Sequence, residues 1–279
     1  MSEGPGHVGP SRPVLVTRPA GRGDGLVTLL AQHGVVVEHR PLTRLLPVRG
    51  PEVDLARERL AAGQYSHLVL TSRTAVEAFC LAESPSADSA GSTGSTGSTG
   101  SPGAPALPAS LGVPPHTQVV AVGEGTAAAL AAIGIRADVV AAGSGAALVE
   151  AMPVASSTPT SRVLFPASGA ASPTVPEGLR SKGYRVDQVT VYRPEPVDLP
   201  EASAQALRTG GYSAMVLTSP MIARRAAAIG IHPSTAILTI GDPTSEAVRE
   251  AGLRVTLQAE EPTDAALAAV VVRALDLGP

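Results

Sequence analysis

Short runs of consecutive hydrophobic residues alternate along the chain with longer segments in which hydrophobic residues recur every three or four positions. The run "VLV" at 14–16 is followed by "DGLVTLLAQ", which has helical spacing and is closed by Gly34. The same order returns in "YSHLVLTS" with "RTAVEAFC", and again in "TQVVAVGEGTAAALAAIG". Strands that alternate with helices of about 10–15 residues indicate parallel sheets with helices on both faces. The pattern therefore predicts an α/β protein.

The order of elements starts again at Arg162, and three landmarks recur in the same sequence. They are a "VLV" or "VLF" strand, a "VLTS" strand end that follows Tyr65 or Tyr212, and a Gly-x-x-Thr turn at 123–126 or 241–244. A repeat of about 120–150 residues is much longer than the unit of a solenoid. The sequence therefore predicts two similar α/β units.

Polar residues follow the predicted strands at the points where those strands end. Ligands of open parallel sheets bind beside the carboxyl ends of the strands, so these residues are candidates for ligand binding. We expect the hydroxyls of Thr126 and Thr244 to cap their helices and the free amides there to receive a carboxylate. The candidates from this pattern are Thr17, Arg18, Ser72, Thr126, Ser168, Ser219 and Thr244.

Composition excludes several classes of function. The 279 residues carry a formal net charge of −3, which gives no basic surface for nucleic acid or an anionic membrane. The six histidines have no metal-ligand spacing and Cys80 is the only cysteine, so we expect no metal site and no intrachain disulfide. The glycine turns lack a full dinucleotide fingerprint.

Cys80 is expected in the core, whereas Tyr192 in "VTVYRPEP" is either a core or hinge residue or a reactive phenol.

Two segments are expected to be disordered. Residues 1–11 form a lead-in without the apolar stretch of a signal peptide, and 84–111 form an insert rich in Gly, Ser, Thr and Pro. No stretch approaches 18 apolar residues, so we expect no membrane span. With a single cysteine and no export signal, a cytoplasmic location is expected.

The ordered series "VLVTRPAG", "YSHLVLTSRTAV", "VVAVGEGTAAALAAIG", "GLRSKGYRVDQVTVYRPEP", "YSAMVLTS" and "ILTIGDPTSEAVREAG" resembles the uroporphyrinogen-III synthase family from Val14 to Leu275. The resemblance implies two flavodoxin-like α/β domains with parallel sheets, joined by a two-stranded antiparallel linker. The linker strands would be "VVVEHRPL" and "VDQVTVYRPE". Domain 1 would comprise 12–40 and 193–279, and domain 2 would comprise 41–192.

The family's reaction closes linear hydroxymethylbilane to uroporphyrinogen III, with inversion of ring D and loss of water. The resemblance implies that no cofactor is needed, that the protein is a monomer and that it contacts hydroxymethylbilane synthase transiently. Tyr192 matches the family tyrosine that assists the departure of water. The substrate carries many carboxylates, yet Lys182 is the only lysine. We therefore expect helix-start amides and hydroxyls to bind much of this charge, with Arg18 and Arg73 nearby.

A noncatalytic tetrapyrrole-binding or regulatory module on the same fold is the alternative. Two departures from the family pattern keep this alternative open: "FPASGAAS" at 165–172 replaces an Arg-Gly or acidic pattern, and Pro220 removes a backbone donor after Ser219. A periplasmic solute binder is disfavoured because no export signal is present. The retained Tyr192 and both Gly-x-x-Thr turns favour the enzyme.

Overall fold

The computed structural model describes residues 12–80, 111–156 and 161–276. The predicted lead-in at 1–11, and the predicted insert except for Leu111, lie outside the described residues. The chain divides into two compact units. Unit 1 combines the described residues up to Leu45 with those from Pro194 onward, and unit 2 comprises Leu46–Arg193. The boundaries that the sequence predicts lie at 40/41 and 192/193.

Strands and helices alternate along most of the described chain. In chain order the elements are β1 (Val14–Val16), α1 (Asp24–Gln32), β2 (Val37–His39), β3 (Thr43–Pro47), α2 (Pro51–Ala61), β4 (His67–Leu70), α3 (Arg73–Cys80), β5 (Gln118–Val122), α4 (Glu124–Ala132), β6 (Val139–Ala141), α5 (Gly145–Ala151), β7 (Arg162–Ser168), α6 (Thr174–Ser181), β8 (Arg185–Pro196), α7 (Glu201–Arg208), β9 (Ala214–Leu217), α8 (Pro220–Ile229), β10 (Ala236–Thr239), α9 (Asp242–Glu250), β11 (Leu257–Gln258) and α10 (Asp264–Asp276).

Unit 1 contains a five-stranded parallel sheet, sheet A, in the order β11-β10-β9-β1-β2. The strand β1 shows why its hydrophobic run is continuous. Leu15 packs into the core on one face, while Val14 and Val16 pack into the core on the other face. Because helices cover both faces, every residue of β1 is buried, and each such side chain stabilises the fold by about 1.5–3 kcal/mol.

Unit 2 contains a six-stranded sheet, sheet B, in the order β3-β8-β7-β4-β5-β6. The strands β4 to β8 run parallel, and the same two-sided burial recurs in β4. Leu68 and Leu70 enter one core, whereas Val69 enters the core on the opposite face. The two units are thus built on the same layered plan, which confirms the α/β fold class with parallel sheets.

The strands β3 and β8 carry the two points at which the chain passes from one unit to the other. The Val48 amide donates to the Val191 carbonyl at 2.8 Å, and the Val197 amide donates to the Leu42 carbonyl at 2.8 Å. The partner of Leu42 is thus Val197 and the partner of Val48 is Val191. Because the residue numbers rise in one segment and fall in the other, β3 and β8 are antiparallel. The first linker strand is β3.

The segment "VVVEHRPL", predicted as the first linker strand, contributes instead to sheet A. Its central residues form β2, which pairs in parallel with β1, with Glu38 opposite Leu15. This part of the prediction is wrong because β2 completes the sheet of unit 1 before the chain crosses. Among the described residues, no helix has both the length and the apolar character that a bilayer span requires.

Candidate active site at the carboxyl edges of the sheets

The carboxyl edge of sheet B collects the predicted site residues of unit 2. The strands β8, β7, β4 and β5 are consecutive neighbours in this sheet and run parallel, so their carboxyl ends meet at one edge. The predicted residues on this edge are Ser72, Arg73, Thr126, Ser168 and Tyr192. The pattern of polar strand ends therefore identified residues that share an edge.

A bulge in β8 sets the direction of Tyr192. Thr190 lies opposite Ala167, but Tyr192 lies opposite Ser168, so Val191 is an extra residue in β8. Val191 and Tyr192 both pack against the same hydrophobic core, although neighbours in a regular strand face opposite sides. Bulges are known to re-aim side chains in this way. The phenol is consequently turned toward the face of sheet B that α3 covers.

Ser72 meets the Tyr192 phenol at this face. The Ser72 Oγ and the Tyr192 Oη are 3.2 Å apart, within hydrogen-bond distance. The same Ser72 Oγ accepts the amide N–H of Ala75 at 3.1 Å, as an N-cap hydroxyl does. Both side chains are half-buried. A strand-end serine and a phenol brought together by a bulge form the one hydrogen bond between two predicted site side chains among the described residues.

Two exposed arginines stand at the same edge without an ionic partner among the described residues. Arg73 begins α3, and its Cδ and Nε lie 3.9 Å from the position of a Cβ placed on Gly125. Arg193 follows Tyr192, and its stem crosses Gly169 so closely that a Cβ placed there would be 2.9 Å from the arginine Cγ. Sequence reasoning missed Arg193. The sequence shows only that an arginine follows Tyr192. Its place at this edge becomes apparent when β7 is paired with β8, because this pairing puts Gly169 next to the Arg193 side chain.

The predicted capping role of Thr126 and Thr244 is wrong. The N-cap residues of α4 and α9 are Gly123 and Gly241, and no side chain caps either helix. Each threonine is the third residue of its helix, whereas a capping hydroxyl must precede the first turn to reach its free amides. The threonine side chains are buried, at 5% and 2% exposed, and make no hydrogen bond to described residues. Their hydroxyls therefore remain free to bind a ligand.

Serine hydroxyls provide the capping that the threonines do not. Ser219 accepts the Ile222 amide at 3.2 Å and caps α8, as Ser72 caps α3. Ser168 accepts the Ala170 amide at 3.1 Å in the turn after β7. These serines thus hold their own loops in addition to any contact with a ligand.

Unit 1 places Thr17 and Arg18 at the carboxyl edge of sheet A but engages both within the protein. The Thr17 hydroxyl is fully buried and donates to the Val216 carbonyl at 2.8 Å. The Arg18 guanidinium pairs with Asp264, the first residue of α10, and donates to the Arg22 carbonyl at 3.2 Å. Arg18 is only 8% exposed, so its charge is largely neutralised and shielded. Neither residue presents a free group of the kind predicted.

A chain of hydrogen bonds missed by sequence reasoning also ends at this edge. The Ser245 hydroxyl donates to the Gln258 Oε1 at 2.5 Å, so the Thr239 hydroxyl must donate to Ser245 at 2.6 Å. Gln258 Nε2 then donates to the Asp242 carboxylate at 2.8 Å. Asp242 is the first residue of α9, where a negative charge is favoured by the free amides. The start of α9, which also carries Thr244, thus already has a carboxylate beside it.

The buried Cys80 thiol is not a reactive group. Burial raises the pKa of the Cys80 thiol to about 12, so the thiolate is not formed near neutral pH. Over 12–80, 111–156 and 161–276, no group of three or more His, Cys, Asp or Glu side chains is placed to hold a metal ion. The polar side chains that the described structure brings to this edge are hydroxyls, a phenol and arginines.

The fold and these edges define a protein of two flavodoxin-like α/β units, with hydroxyls and cations at the carboxyl ends of the strands. A model of the family described as uroporphyrinogen-III synthase HemD matches residues 24–269. The chain belongs to the uroporphyrinogen-III synthase family.

Solved structures of this family have the same fold. A mutant uroporphyrinogen III synthase from the extremely thermophilic bacterium Thermus thermophilus superposes with a TM-score of 0.58 at 20% identity, covering 95% of this chain and 99% of that chain. The uroporphyrinogen-III synthetase from Helicobacter pylori gives a TM-score of 0.54 at 13% identity, covering 94% and 99%. No curated protein sequence matches the chain. The likeness to these structures establishes the fold.

Proposed function

We propose that the protein is a uroporphyrinogen-III synthase, which cyclises hydroxymethylbilane to uroporphyrinogen III with inversion of ring D and loss of water. The observation that carries the proposal is the pairing of Tyr192 with Ser72 at the carboxyl edge of sheet B. This pairing supplies a positioned proton donor in a protein of that family. In this proposal the enzyme is a hydro-lyase.

Tyr192 acts first, as a general acid. The C–O bond of the substrate's hydroxymethyl group breaks, its electron pair leaves with the oxygen, and the phenol proton converts the departing hydroxide to water. The lone pair of the adjacent pyrrole nitrogen stabilises the resulting carbon as a cationic azafulvene. The substituted carbon of ring D attacks this carbon to form a spiro intermediate, and fragmentation with recombination inverts the ring. The proton released on rearomatisation restores the Tyr192 phenol.

Binding of the substrate carboxylates is assigned chiefly to the exposed cations of unit 2. Arg73 and Arg193 have no ionic partner among the described residues, so each is available to pair with an acetate or propionate. The free hydroxyls of Thr126 and Thr244 are the second set of donors. Ser168 and Ser219 complete the proposed set through hydroxyls that have a proton to donate. Thr17 and Arg18 contribute by shaping the edge of sheet A, because their polar groups are already engaged.

The wider setting follows the family expectation. We propose two domains, 12–40 with 193–279 and 41–192; the compact units divide the chain slightly later, after Leu45 and after Arg193, so Arg193 is counted with unit 2. The enzyme is proposed to act as a cytoplasmic monomer without a cofactor, and to receive hydroxymethylbilane during transient contact with its synthase. Hydroxymethylbilane closes spontaneously to the unrearranged isomer, so rapid capture of the substrate would suppress that product.

A coupled assay tests the function. Hydroxymethylbilane is generated freshly by its synthase, the protein is added, the products are oxidised, and porphyrin isomers I and III are separated by chromatography. Isomer III above the background of a heat-denatured sample is the expected result. Isomer I alone, from protein that retains its folded circular dichroism spectrum, would contradict the proposal and favour a noncatalytic tetrapyrrole-binding module.

A further inference from the structure

The Ser72 hydroxyl has two hydrogen-bond partners, the Ala75 amide and the Tyr192 phenol. The Ala75 amide donates to the Ser72 Oγ at 3.1 Å, which uses one lone pair of the oxygen. The Tyr192 Oη lies 3.2 Å away from the same oxygen. No other described group receives the single hydroxyl proton of Ser72. That proton is therefore available to the phenol oxygen.

Proton transfer from Tyr192 fixes the direction of this hydrogen bond. Once the phenol has given its proton to the leaving hydroxide, the phenolate has only lone pairs and can only accept. Ser72 is then the donor, whichever way the bond runs beforehand. A hydrogen bond to an ionised acceptor is about twice as strong as one between neutral groups. The contact consequently becomes stronger as the C–O bond breaks, which is the condition for lowering the barrier.

We propose that Ser72 is a positioning residue for Tyr192, donating its hydroxyl proton to the phenol oxygen and stabilising the phenolate that forms as water leaves. This role rests on the proposed function and differs from direct contact with the substrate. The N-cap bond from Ala75 holds the serine oxygen in place, so one side chain both starts α3 and supports the acid.

The equivalent position in unit 1, Ser219, shows helix capping without a hydrogen bond to a described phenol oxygen. Ser219 ends the equivalent "VLTS" segment and caps α8 through Ile222 at 3.2 Å, but no phenol among the described residues is hydrogen-bonded to it. A serine at this strand end can therefore cap its helix without a phenol beside it. The contact with Tyr192 is an addition specific to unit 2, where the bulge at Val191 turns the tyrosine toward the serine.

Three substitutions of Ser72 separate capping from donation. Ser72→Thr keeps both the cap and the hydroxyl proton, Ser72→Asp keeps a capping acceptor but has no proton to donate, and Ser72→Ala keeps neither. We expect Ser72→Ala to lower kcat about tenfold or more with little change in KM, and Ser72→Thr to retain most of the rate. Ser72→Asp should lower kcat as much and also raise KM, because its carboxylate stands at the edge proposed to bind the substrate carboxylates. Ser144→Ala is the matched control, because Ser144 caps α5 through Ala147 at 3.1 Å in the same unit. It should lower the melting temperature and leave kcat unchanged.

The decisive measurement repeats Ser72→Ala in a Tyr192→Phe background, using formation of isomer III as the readout. If Ser72 acts through the phenol, the serine substitution costs nothing further once the phenol is gone. A loss of equal size in both backgrounds would mean direct substrate contact and overturn the inference. Full activity of Ser72→Asp would overturn it as well.

Failure of the inference is distinguishable from failure of the proposed function. Absence of isomer III with the unsubstituted protein would reject the function itself. Formation of isomer III at an unchanged rate by Tyr192→Phe would instead reject the acid role of the phenol, and with it the role of Ser72. Thermal unfolding of every variant is recorded alongside, and Ser72→Thr and Ser72→Asp remain informative if loss of the cap prevents Ser72→Ala from folding.

Discussion

The carboxyl edges of sheets A and B are built from equivalent strand ends, yet they present different chemistry. On sheet B, Ser72 contacts the Tyr192 phenol and Arg73 has no ionic partner among the described residues. On sheet A, the hydrogen bond of Ser219 to described residues is its helix cap, while Thr17 and Arg18 are engaged within the protein. The duplicated fold thus has a reactive phenol at the edge of one unit, whereas at the edge of the other unit the polar groups other than the Thr244 hydroxyl are largely engaged within the protein, which we call a closed edge.

The amino edges of the two sheets, by contrast, remain alike. Thr117 donates to the Tyr65 carbonyl at 2.8 Å, and Thr235 donates to the Tyr212 carbonyl at 3.2 Å. Burial raises the pKa of both phenols. The Tyr65 hydroxyl donates to Asp187 of β8 at 3.0 Å, whereas the buried Tyr212 hydroxyl lies near Glu38 of β2 without a hydrogen bond to described residues. These contacts hold strands together and do not depend on a ligand. The two repeats therefore share their structure at one edge and differ at the opposite edge.

The largest effect is expected from Tyr192→Phe, which would make the edge of sheet B as unreactive as that of sheet A. Removing a general acid lowers kcat by about 100-fold or more, because hydroxide must then leave without a positioned proton. Rates of isomer III formation at saturating substrate measure the loss. Tyr184→Phe is the control, since the Tyr184 hydroxyl makes no hydrogen bond to described residues. Equal rates for the two variants would remove Tyr192 from the mechanism.

Removing the ion pair between Arg18 and Asp264 in unit 1 should lower the free energy of unfolding and leave the edge of sheet B intact. Asp264→Ala deprives the buried Arg18 of its carboxylate, and loss of a buried partner costs about 3–5 kcal/mol. The exposure of Asp264, at 31%, reduces the expected loss in unfolding free energy to about 2 kcal/mol. Urea unfolding measures it. Glu250→Ala, which breaks the exposed pair with Arg224, is the control and should cost less than about 1 kcal/mol.

If Asp264→Ala were no more destabilising than Glu250→Ala, the description of sheet A as a closed edge would be wrong. The Arg18 guanidinium would then be able to leave its partner at little cost. Arg18 would regain its place among the cations available to a substrate carboxylate.

Substrate affinity should depend on the free arginines of the sheet B edge. Arg73→Gln and Arg193→Gln each remove a charge-assisted hydrogen bond to a carboxylate, and we expect KM to rise about tenfold with kcat nearly unchanged. Arg136→Gln is the matched control, because Arg136 is also exposed and without an ionic partner among the described residues. A similar rise in KM for Arg136→Gln would indicate long-range attraction of the substrate rather than a binding edge.

Much of the fold could be predicted from the sequence because local patterns specify it. The continuous run in β4 indicates burial on both faces, and the structure places Leu68 and Val69 in opposite cores. Sequence reasoning misplaced the first linker strand because β2 and β3 are separated by only a few residues and both carry valine or leucine side chains. Which sheet each strand joins is decided by pairing partners distant in sequence.

The candidate site was predicted in outline for the same reason. Strand ends are visible as polar residues after hydrophobic runs, which placed Ser72 at a sheet edge, whereas the role expected of Tyr192 came from the family resemblance. The ion pair between Arg18 and Asp264 joins residues 246 positions apart, so no local sequence pattern could predict it. The extra residue Val191 likewise becomes visible only when β8 is paired with β7. The threonine caps were wrongly predicted because a shift of three positions separates an N-cap from a residue inside the helix.

The smallest predicted effect concerns pH and the edge strand β2 of unit 1. Burial raises the pKa of Glu38, but hydrogen bonds from Arg40 and Ser203 outweigh it, and the pKa falls below its ordinary value of 4.5. The unfolded chain therefore binds this proton more readily than the folded protein. Stability from Glu38 is present above about pH 4.5 and is lost as pH falls through the lowered pKa. Glu38→Gln should flatten the acid limb of unfolding free energy against pH, with Glu58→Gln as an exposed control. An unaltered acid limb would mean that the carboxylate of β2 contributes nothing to holding sheet A together.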